Sequence, residues 1–112
     1  VGGRSGEVVG MKLWTLALDR QVLCVTHLPQ VAAFGDAHYV VTKAVERDDR
    51  TVTRVRRIAD DEVVDELATM MAGRPVTEAA RTSARELLAR AADWKAARRL
   101  AATSAHAPQT HP

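Results

Sequence analysis

The pattern of hydrophobic and polar residues changes its period along the chain, and each period predicts a different kind of element. Apolar residues at helical spacing predict helices over 5–18, 30–34, 62–72 and 78–92. A short apolar run over 21–26 predicts a strand, and two segments rich in Val and Thr, 38–46 and 51–58, flank a polar turn. These last two segments predict a β-hairpin, so the chain as a whole indicates an α/β domain.

Two of these elements carry more apolar surface than a small domain covers easily. The run over 21–26 shows no alternation, which is typical of a central strand buried on both faces, so we expect Cys24 to be buried. The helix over 5–18 has apolar residues on two faces and therefore favours burial on both. Because a chain of 112 residues builds only a modest core, we expect part of this helix to remain exposed.

Polar residues mark the ends of the later helices. Asp60 and Asp61 are expected to cap one helix, Gly73 to end it and Thr77 to cap the next. The stretch over 103–112 has no periodicity and predicts a disordered tail.

The composition excludes several classes of protein. The chain is 46% hydrophobic and 27% charged, as in an ordinary soluble domain, and no apolar run approaches the length of a membrane span. A formal net charge of +2 does not by itself indicate nucleic-acid binding, and the few aromatic residues are too scattered to form a base-stacking platform. A single cysteine excludes an intrachain disulfide, which suits a reducing cytoplasm.

His27 is the residue with the strongest candidate chemistry. It directly follows the predicted buried strand, and ligands of open α/β sheets bind at the carboxyl ends of strands. A structural role, in which this histidine caps the strand or the next helix, stays open. Cys24 does not complete a thiol–imidazole pair with it, because residues three apart in a strand point to opposite faces.

Two other kinds of site are not supported by the sequence. The histidines lack the spacing of metal ligands, so we expect no metal site. The glycines near the N-terminus are not followed by the Lys-Ser/Thr of a phosphate loop, so we expect them to form a tight loop that leads into a helix.

Residues 22–34, which read VLCVTHLPQVAAF, and residues 38–43, which read HYVVTK, closely resemble the C-terminal end of the RecN family. RecN proteins are bacterial DNA double-strand-break repair ATPases of the SMC-like branch of the ABC ATPases. The resemblance covers roughly residues 1–91 and implies the C-terminal part of a P-loop (ABC/SMC-like) ATPase head, with a short sheet, a β-hairpin and closing helices. The implied division places the head region at 1–92 and a basic helix end with a tail at 93–112.

The same resemblance assigns roles to three neighbouring residues. His27 matches the switch histidine of the H-loop, which approaches the γ-phosphate of ATP and helps to hold the attacking water. Thr26 and Gln30 are expected to support the rotamer and the tautomer of this histidine. The alternative for Gln30 is a solvated position in the first turn of the helix.

The resemblance implies ATP and Mg²⁺ as cofactors of a full-length protein, but the chain contains no Walker A, Walker B or signature motif. We therefore expect the chain alone neither to bind ATP tightly nor to hydrolyse it. The implied partners are the remainder of the head, a second head and, through the full-length protein, DNA, with no membrane partner. The implied setting is the bacterial cytoplasm, at the nucleoid, in recombination and the SOS response to DNA damage.

Two other functions are compatible with the sequence. The chain could act as a non-catalytic interaction module that docks on an ATPase head through its first helix. It could instead be a small nucleic-acid binder that uses basic residues of the second hairpin strand and the last helix, namely Arg54, Arg56, Arg57, Lys95, Arg98 and Arg99. A solvated strand edge and helix face is the simpler interpretation of these charges.

Overall fold

The computed structural model describes residues 3–105, in which the elements are four helices and one β-hairpin. In chain order the elements are α1 Gly3–Leu16, α2 Pro29–Ala32, β1 His38–Val45, β2 Thr51–Ile58, α3 Asp61–Ala72 and α4 Glu78–Ala105. The predicted first helix and the short helix after it are confirmed to within a few residues, which is the usual uncertainty of helix ends.

The predicted hairpin is also confirmed. β1 and β2 pair in antiparallel register along their whole length. The turn between them is closed by the Glu46 N–H, which donates a hydrogen bond to the carbonyl of Arg50 at 2.7 Å. Ile58, at the end of β2, is buried in the core, whereas most of the hairpin is exposed, including Tyr39 and Val41.

The ends of α3 and α4 agree in part with the sequence. Thr77 caps α4, since its Oγ1 accepts a hydrogen bond from the Ala80 N–H at 3.1 Å. Helix α3 ends at Gly73, whose N–H donates to the carbonyl of Thr69. Asp60 occupies the N-cap position of α3, but its side chain makes no capping hydrogen bond.

Helix α4 continues well past its predicted end at residue 92 and reaches Ala105. Positions 93–105 contain neither glycine nor proline and are rich in alanine and arginine, which favour a helix. The predicted disordered tail is therefore wrong for 103–105, and the rest of it, 106–112, lies outside the described residues. The helix also runs without interruption across the division expected between 92 and 93.

The core lies between the helices, with the end of β2 at its margin. The buried cluster consists of Trp14, Ala33, Phe34, Ile58, Val63, Leu67, Ala68, Ala80, Ala84, Leu87 and Ala91. Trp94 meets the rings of Trp14 and Phe34 edge-on, with ring centroids 5.7 Å apart in both pairs, a favourable geometry for aromatic contacts. Three aromatic residues that are far apart in the sequence therefore meet in the core.

The apolar segment 21–26, predicted as a buried strand, belongs to no sheet in the structure. Leu23 is 88% exposed and Val25 91% exposed, and Cys24 is exposed as well. The predictions of a strand and of a buried cysteine are therefore wrong for this chain. A strand needs a neighbour for its backbone hydrogen bonds, and the strands found among the described residues, β1 and β2, pair only with each other.

Helix α1 leaves part of its apolar surface in solvent, as its two apolar faces predict. Trp14 is buried, but Val8, Val9 and Leu16 are exposed. The described part of the chain thus covers one face of this helix and leaves another open.

Candidate functional site

His27 lies in the turn that precedes α2, and its side chain is exposed. Within this turn the Oγ1 of Thr26 accepts a hydrogen bond from the Leu28 N–H at 3.0 Å. A local hydrogen bond of this kind fixes the backbone of the residue between its two ends. The turn therefore presents the imidazole of His27 to solvent on a defined backbone, and Thr26 helps to hold it there.

Helix α2 attaches this turn to the rest of the molecule. Pro29 and Val31 are buried. The carbonyl of Leu28 accepts hydrogen bonds from the N–H groups of Val31 at 3.1 Å and Ala32 at 3.0 Å. Proline occupies the first turn of the helix, where the N–H that it lacks would have no intrahelical partner. His27 is thus joined directly to a short buried element.

A close contact between α1 and α2 positions Gln30. A Cβ added at Gly6 would lie 2.9 Å from the Cβ of Gln30, closer than such atoms approach each other in proteins, and a Cβ at Gly10 would overlap the ring of Phe34. Glycine at both positions allows the two segments to lie this close. Gly6 and Gly10 lie inside α1, as the helix predicted over 5–18 requires, and Gly3 begins α1. Gln30 is half-buried against α1, which differs from a fully solvated side chain.

Asp36 follows α2 and collects hydrogen bonds from two helices. Both of its carboxylate oxygens accept from the Nε1–H of Trp14 at 3.0 Å. Its Oδ1 also accepts from the Nζ of Lys95 at 3.2 Å and from the guanidinium of Arg99 at 3.1 Å. Lys95 donates in addition to the carbonyl of Gly35 at 3.2 Å, and the Arg99 guanidinium lies 5.0 Å from the centre of the Trp14 ring. Trp14, Asp36, Lys95 and Arg99 are called the Asp36 cluster below.

The charges in the Asp36 cluster stabilise the ionised carboxylate. Partial burial of Asp36 acts to raise its pKa, because it disfavours the charged form. The hydrogen bonds from Trp14 and Lys95, together with the positive charges of Lys95 and Arg99, outweigh this effect, so the pKa of Asp36 falls below its ordinary value of 3.8. Asp36 is therefore ionised at neutral pH and pairs with both cations.

The sequence pattern alone does not indicate the Asp36 cluster, because Lys95 and Arg99 lie 59 and 63 positions after Asp36. One signal for the α1 contact is present in the sequence. Gly6, Gly10 and Trp14 recur every four residues, so they share one face of a helix, and two glycines on one face indicate that another segment lies close to it.

The basic residues considered for nucleic-acid binding are largely engaged within the chain. Within the described residues the pairs are Arg54 with Glu46, Arg56 with Glu62, and Lys95 and Arg99 with Asp36, all at 3.3 Å or less. Such pairing neutralises much of the positive charge that a phosphate backbone would contact.

Neither a metal cluster nor a membrane helix is found in the part of the chain that the structure describes. Over residues 3–105 no three or more His, Cys, Asp or Glu side chains are arranged to hold a metal ion. Over the same residues no helix combines the length and the apolar composition needed to cross a bilayer.

Comparison with known proteins adds the class to which this small α/β unit belongs, which is that of bacterial DNA repair proteins. The chain is 42% identical over 91 residues to "DNA repair protein RecN" of Bacillus subtilis, 48% identical over 88 residues to that of Mycobacterium leprae and 49% identical over 89 residues to that of Deinococcus radiodurans. These alignments cover 79–81% of the chain. The chain therefore belongs to the RecN family.

The chain spans only 14–16% of the length of these relatives. The similarity is consistent with the C-terminal part of a RecN protein. No protein-family model matches the chain.

Proposed function

We propose that the chain supplies the H-loop region of a RecN-type ATPase head that acts in recombinational repair of DNA double-strand breaks. In this proposal His27 contacts the γ-phosphate of ATP. The observation that carries the proposal is the exposed position of His27 on a turn held by Thr26 and α2, in a chain that is 42–49% identical to RecN proteins.

The chemistry of an imidazole suits this role. It can donate a hydrogen bond to a phosphoryl oxygen and help to orient the attacking water, which stabilises the charge that develops during phosphoryl transfer. Such a group has to reach the ligand from a backbone that does not need to reorganise. His27 is exposed, and the hydrogen bond between Thr26 and Leu28 closes its turn. The buried Pro29 anchors the start of α2 directly after this turn.

Gln30 has a supporting role in this proposal, through its contact with α1 at Gly6. ATP and Mg²⁺ are held mainly by the remainder of the head, since this sequence carries no Walker A or Walker B motif. When bound, the metal ion would neutralise charge on the phosphates.

The exposed apolar surface supports a place within a larger head. In this proposal the remaining head covers Leu23 and Val25, which are exposed in this chain. Full burial of a side chain of this size contributes about 1.5–3 kcal/mol, so these residues favour such a partner. A second head and, through the whole protein, DNA are further proposed partners, and the proposed location is the bacterial cytoplasm at the nucleoid.

The test uses a composite protein, defined as RecN of Bacillus subtilis in which the matching segment is replaced by this chain. We expect the composite protein to hydrolyse ATP and His27→Ala to lower its kcat by roughly 10²-fold or more, as loss of a group that stabilises transition-state charge does. Asp48→Asn is the control, because Asp48 is an exposed turn residue that pairs with Arg50. A composite protein that folds without turnover, or one that is insensitive to His27→Ala, would contradict the proposal.

A docking module is the second candidate, and the exposed apolar residues of α1 favour it. This function requires the chain to bind an intact ATPase head without contributing to turnover. Val9→Lys, on the exposed part of α1, would then abolish co-purification of the chain with full-length RecN, whereas His27→Ala would leave it unchanged. Direct DNA binding is less well supported, because the ion pairs described above engage the basic residues that would contact phosphate. If the chain did bind DNA in this way, its affinity for DNA would fall steeply with added salt.

A further inference from the structure

We infer that Asp36 is a positioning residue for His27: by binding Trp14 of α1 and Lys95 and Arg99 of α4, it holds α2 and the histidine turn in one place. This inference rests on the proposed function of His27 and adds to it a residue that does not touch the nucleotide. No contact with ATP is required of Asp36, since its effect passes through α2.

The carboxylate of Asp36 joins α1 to α4. Its carboxylate accepts hydrogen bonds from three side chains that belong to two different helices, at 3.0–3.2 Å. Two of these donors are cations, and hydrogen bonds between ionised groups are about twice as strong as neutral ones. The Lys95 side chain is 11% exposed and that of Asp36 is 51% exposed, so this ion pair lies at the surface with Lys95 on its buried side. The hydrogen bond from the buried Trp14 joins Asp36 to the core.

Helix α1 makes regular contacts with the segment that follows the histidine turn. Gly6, Gly10 and Trp14 lie on successive turns of α1 and meet Gln30, Phe34 and Asp36 respectively. The segment from Gln30 to Asp36 is therefore held against α1 at both ends and in the middle. Of these three contacts, the one at Asp36 is a hydrogen bond to a charged group.

Backbone hydrogen bonds connect this segment to the histidine turn. Within and just after α2, four successive N–H groups donate to backbone carbonyls, namely Ala32 to Leu28, Ala33 to Pro29, Phe34 to Val31 and Gly35 to Ala32. Pro29 and Val31 of this segment are buried, and a closely packed interior transmits displacement, so a shift at Asp36 changes the position of the turn before Pro29. The charged contacts at Asp36 thus restrict the position of His27.

The first experiment measures amide hydrogen exchange in the full chain. Asp36→Asn keeps the shape of the side chain and one oxygen that can accept from Trp14, but it removes the charge that pairs with Lys95 and Arg99. We expect exchange at Ala32 and Ala33 to rise by roughly tenfold, as α2 opens more often. Asp48→Asn, which also removes an exposed paired carboxylate, is expected to leave these rates unchanged.

Exchange at Leu67, in the core of α3, separates local opening from global loss of stability. An equal rise at Leu67 in Asp36→Asn would mean that the whole domain is less stable, and it would overturn the inference. If Asp36→Asn does not fold, Arg99→Gln removes a single exposed donor of the cluster and is expected to give the same local increase in smaller size.

The second experiment measures turnover in the composite protein. We expect Asp36→Asn to lower kcat by roughly tenfold, as a small misplacement of a catalytic group does, with the KM for ATP nearly unchanged. In a His27→Ala background the same substitution is expected to cause no further loss, because both changes act through one group. A purely structural role would lower turnover in both backgrounds.

The outcomes separate the two proposals. If His27→Ala has no effect on turnover, the proposed function fails and the inference fails with it. If His27→Ala lowers kcat but Asp36→Asn does not, only the inference is overturned. If Asp36→Asn lowers kcat equally with and without His27, Asp36 acts elsewhere and the inference is also overturned.

Discussion

Substitution of Gly10 by alanine tests the close contact on which the position of the histidine turn depends. The added Cβ would overlap the ring of Phe34 and lie 3.0 Å from its Cγ and 3.1 Å from its Cε2. The ring has little room to move away, because Phe34 is 5% exposed and its other side meets Trp94 edge-on. Relief of the overlap therefore requires α1 and α2 to separate.

Two opposing effects decide the sign of the change in stability. Alanine favours a helix interior over glycine by about 1 kcal/mol, which would stabilise α1. Overpacking of a well-packed contact costs about 1–3 kcal/mol, and separation of the helices would also expose part of Phe34. We therefore expect Gly10→Ala to lower the free energy of unfolding by about 1–2 kcal/mol.

The assay is urea unfolding of the full chain, followed by tryptophan fluorescence, with Val9→Ala as the matched control. Val9 is the neighbouring helix position and is 45% exposed, so its substitution is expected to change stability by no more than about 0.5 kcal/mol. Phe34→Leu should reduce the cost of Gly10→Ala, because the smaller side chain leaves room for the new methyl group. Equal or greater stability of Gly10→Ala would refute the close contact between α1 and Phe34.

Three further predictions concern the ion cluster, the histidine and the apolar segment. Because the pKa of Asp36 is lowered in the folded chain, its charge contributes stability above the unfolded value near 3.8, and this contribution is lost as pH falls through the lower folded value. The difference in unfolding free energy between wild type and Asp36→Asn should therefore be constant at neutral pH and shrink below about pH 4, as measured by acid titrations of stability. His27→Ala should change the stability of the isolated chain by less than about 0.5 kcal/mol in the same urea assay, because the side chain is exposed, and a larger loss would indicate a structural role instead. Leu23→Thr with Val25→Thr should lower binding of a hydrophobic dye without changing the unfolding midpoint, and unchanged dye binding would mean that this segment is covered.

The elements that the sequence predicts correctly are those whose partners are close along the chain. The β-hairpin is fixed by two adjacent strands and a short polar turn, and Thr77 caps α4 through a residue three positions away. Gly73 ends α3 in the same local way. Local hydrogen bonds of this kind depend on a few neighbouring residues, so the sequence contains all that is needed to predict them.

The predictions that failed depend on residues that are distant or outside the chain. The segment 21–26 has the composition of a central strand, but composition cannot show whether a neighbouring strand is available, and the described residues provide none. The same composition predicts a buried Cys24, which is exposed in the structure. The sequence does not predict the Asp36 cluster for a related reason, since its cations come from α4, 59 and 63 positions after Asp36.

The candidate site combines both kinds of dependence, which explains why the sequence predicts it only in part. The position of His27 before a short helix follows from Pro29 and from the apolar run that precedes it, and the structure places it there. The contacts that hold the turn come from other parts of the chain. Glycines of α1 leave room for the segment after the turn, and cations of α4 pair with Asp36. The turn is therefore well supported on the side of α1 and α4, while the apolar segment just before it remains uncovered. A partner that covers Leu23 and Val25 would hold the turn from its other end, so in the assembled protein the position of His27 would depend on contacts on both sides.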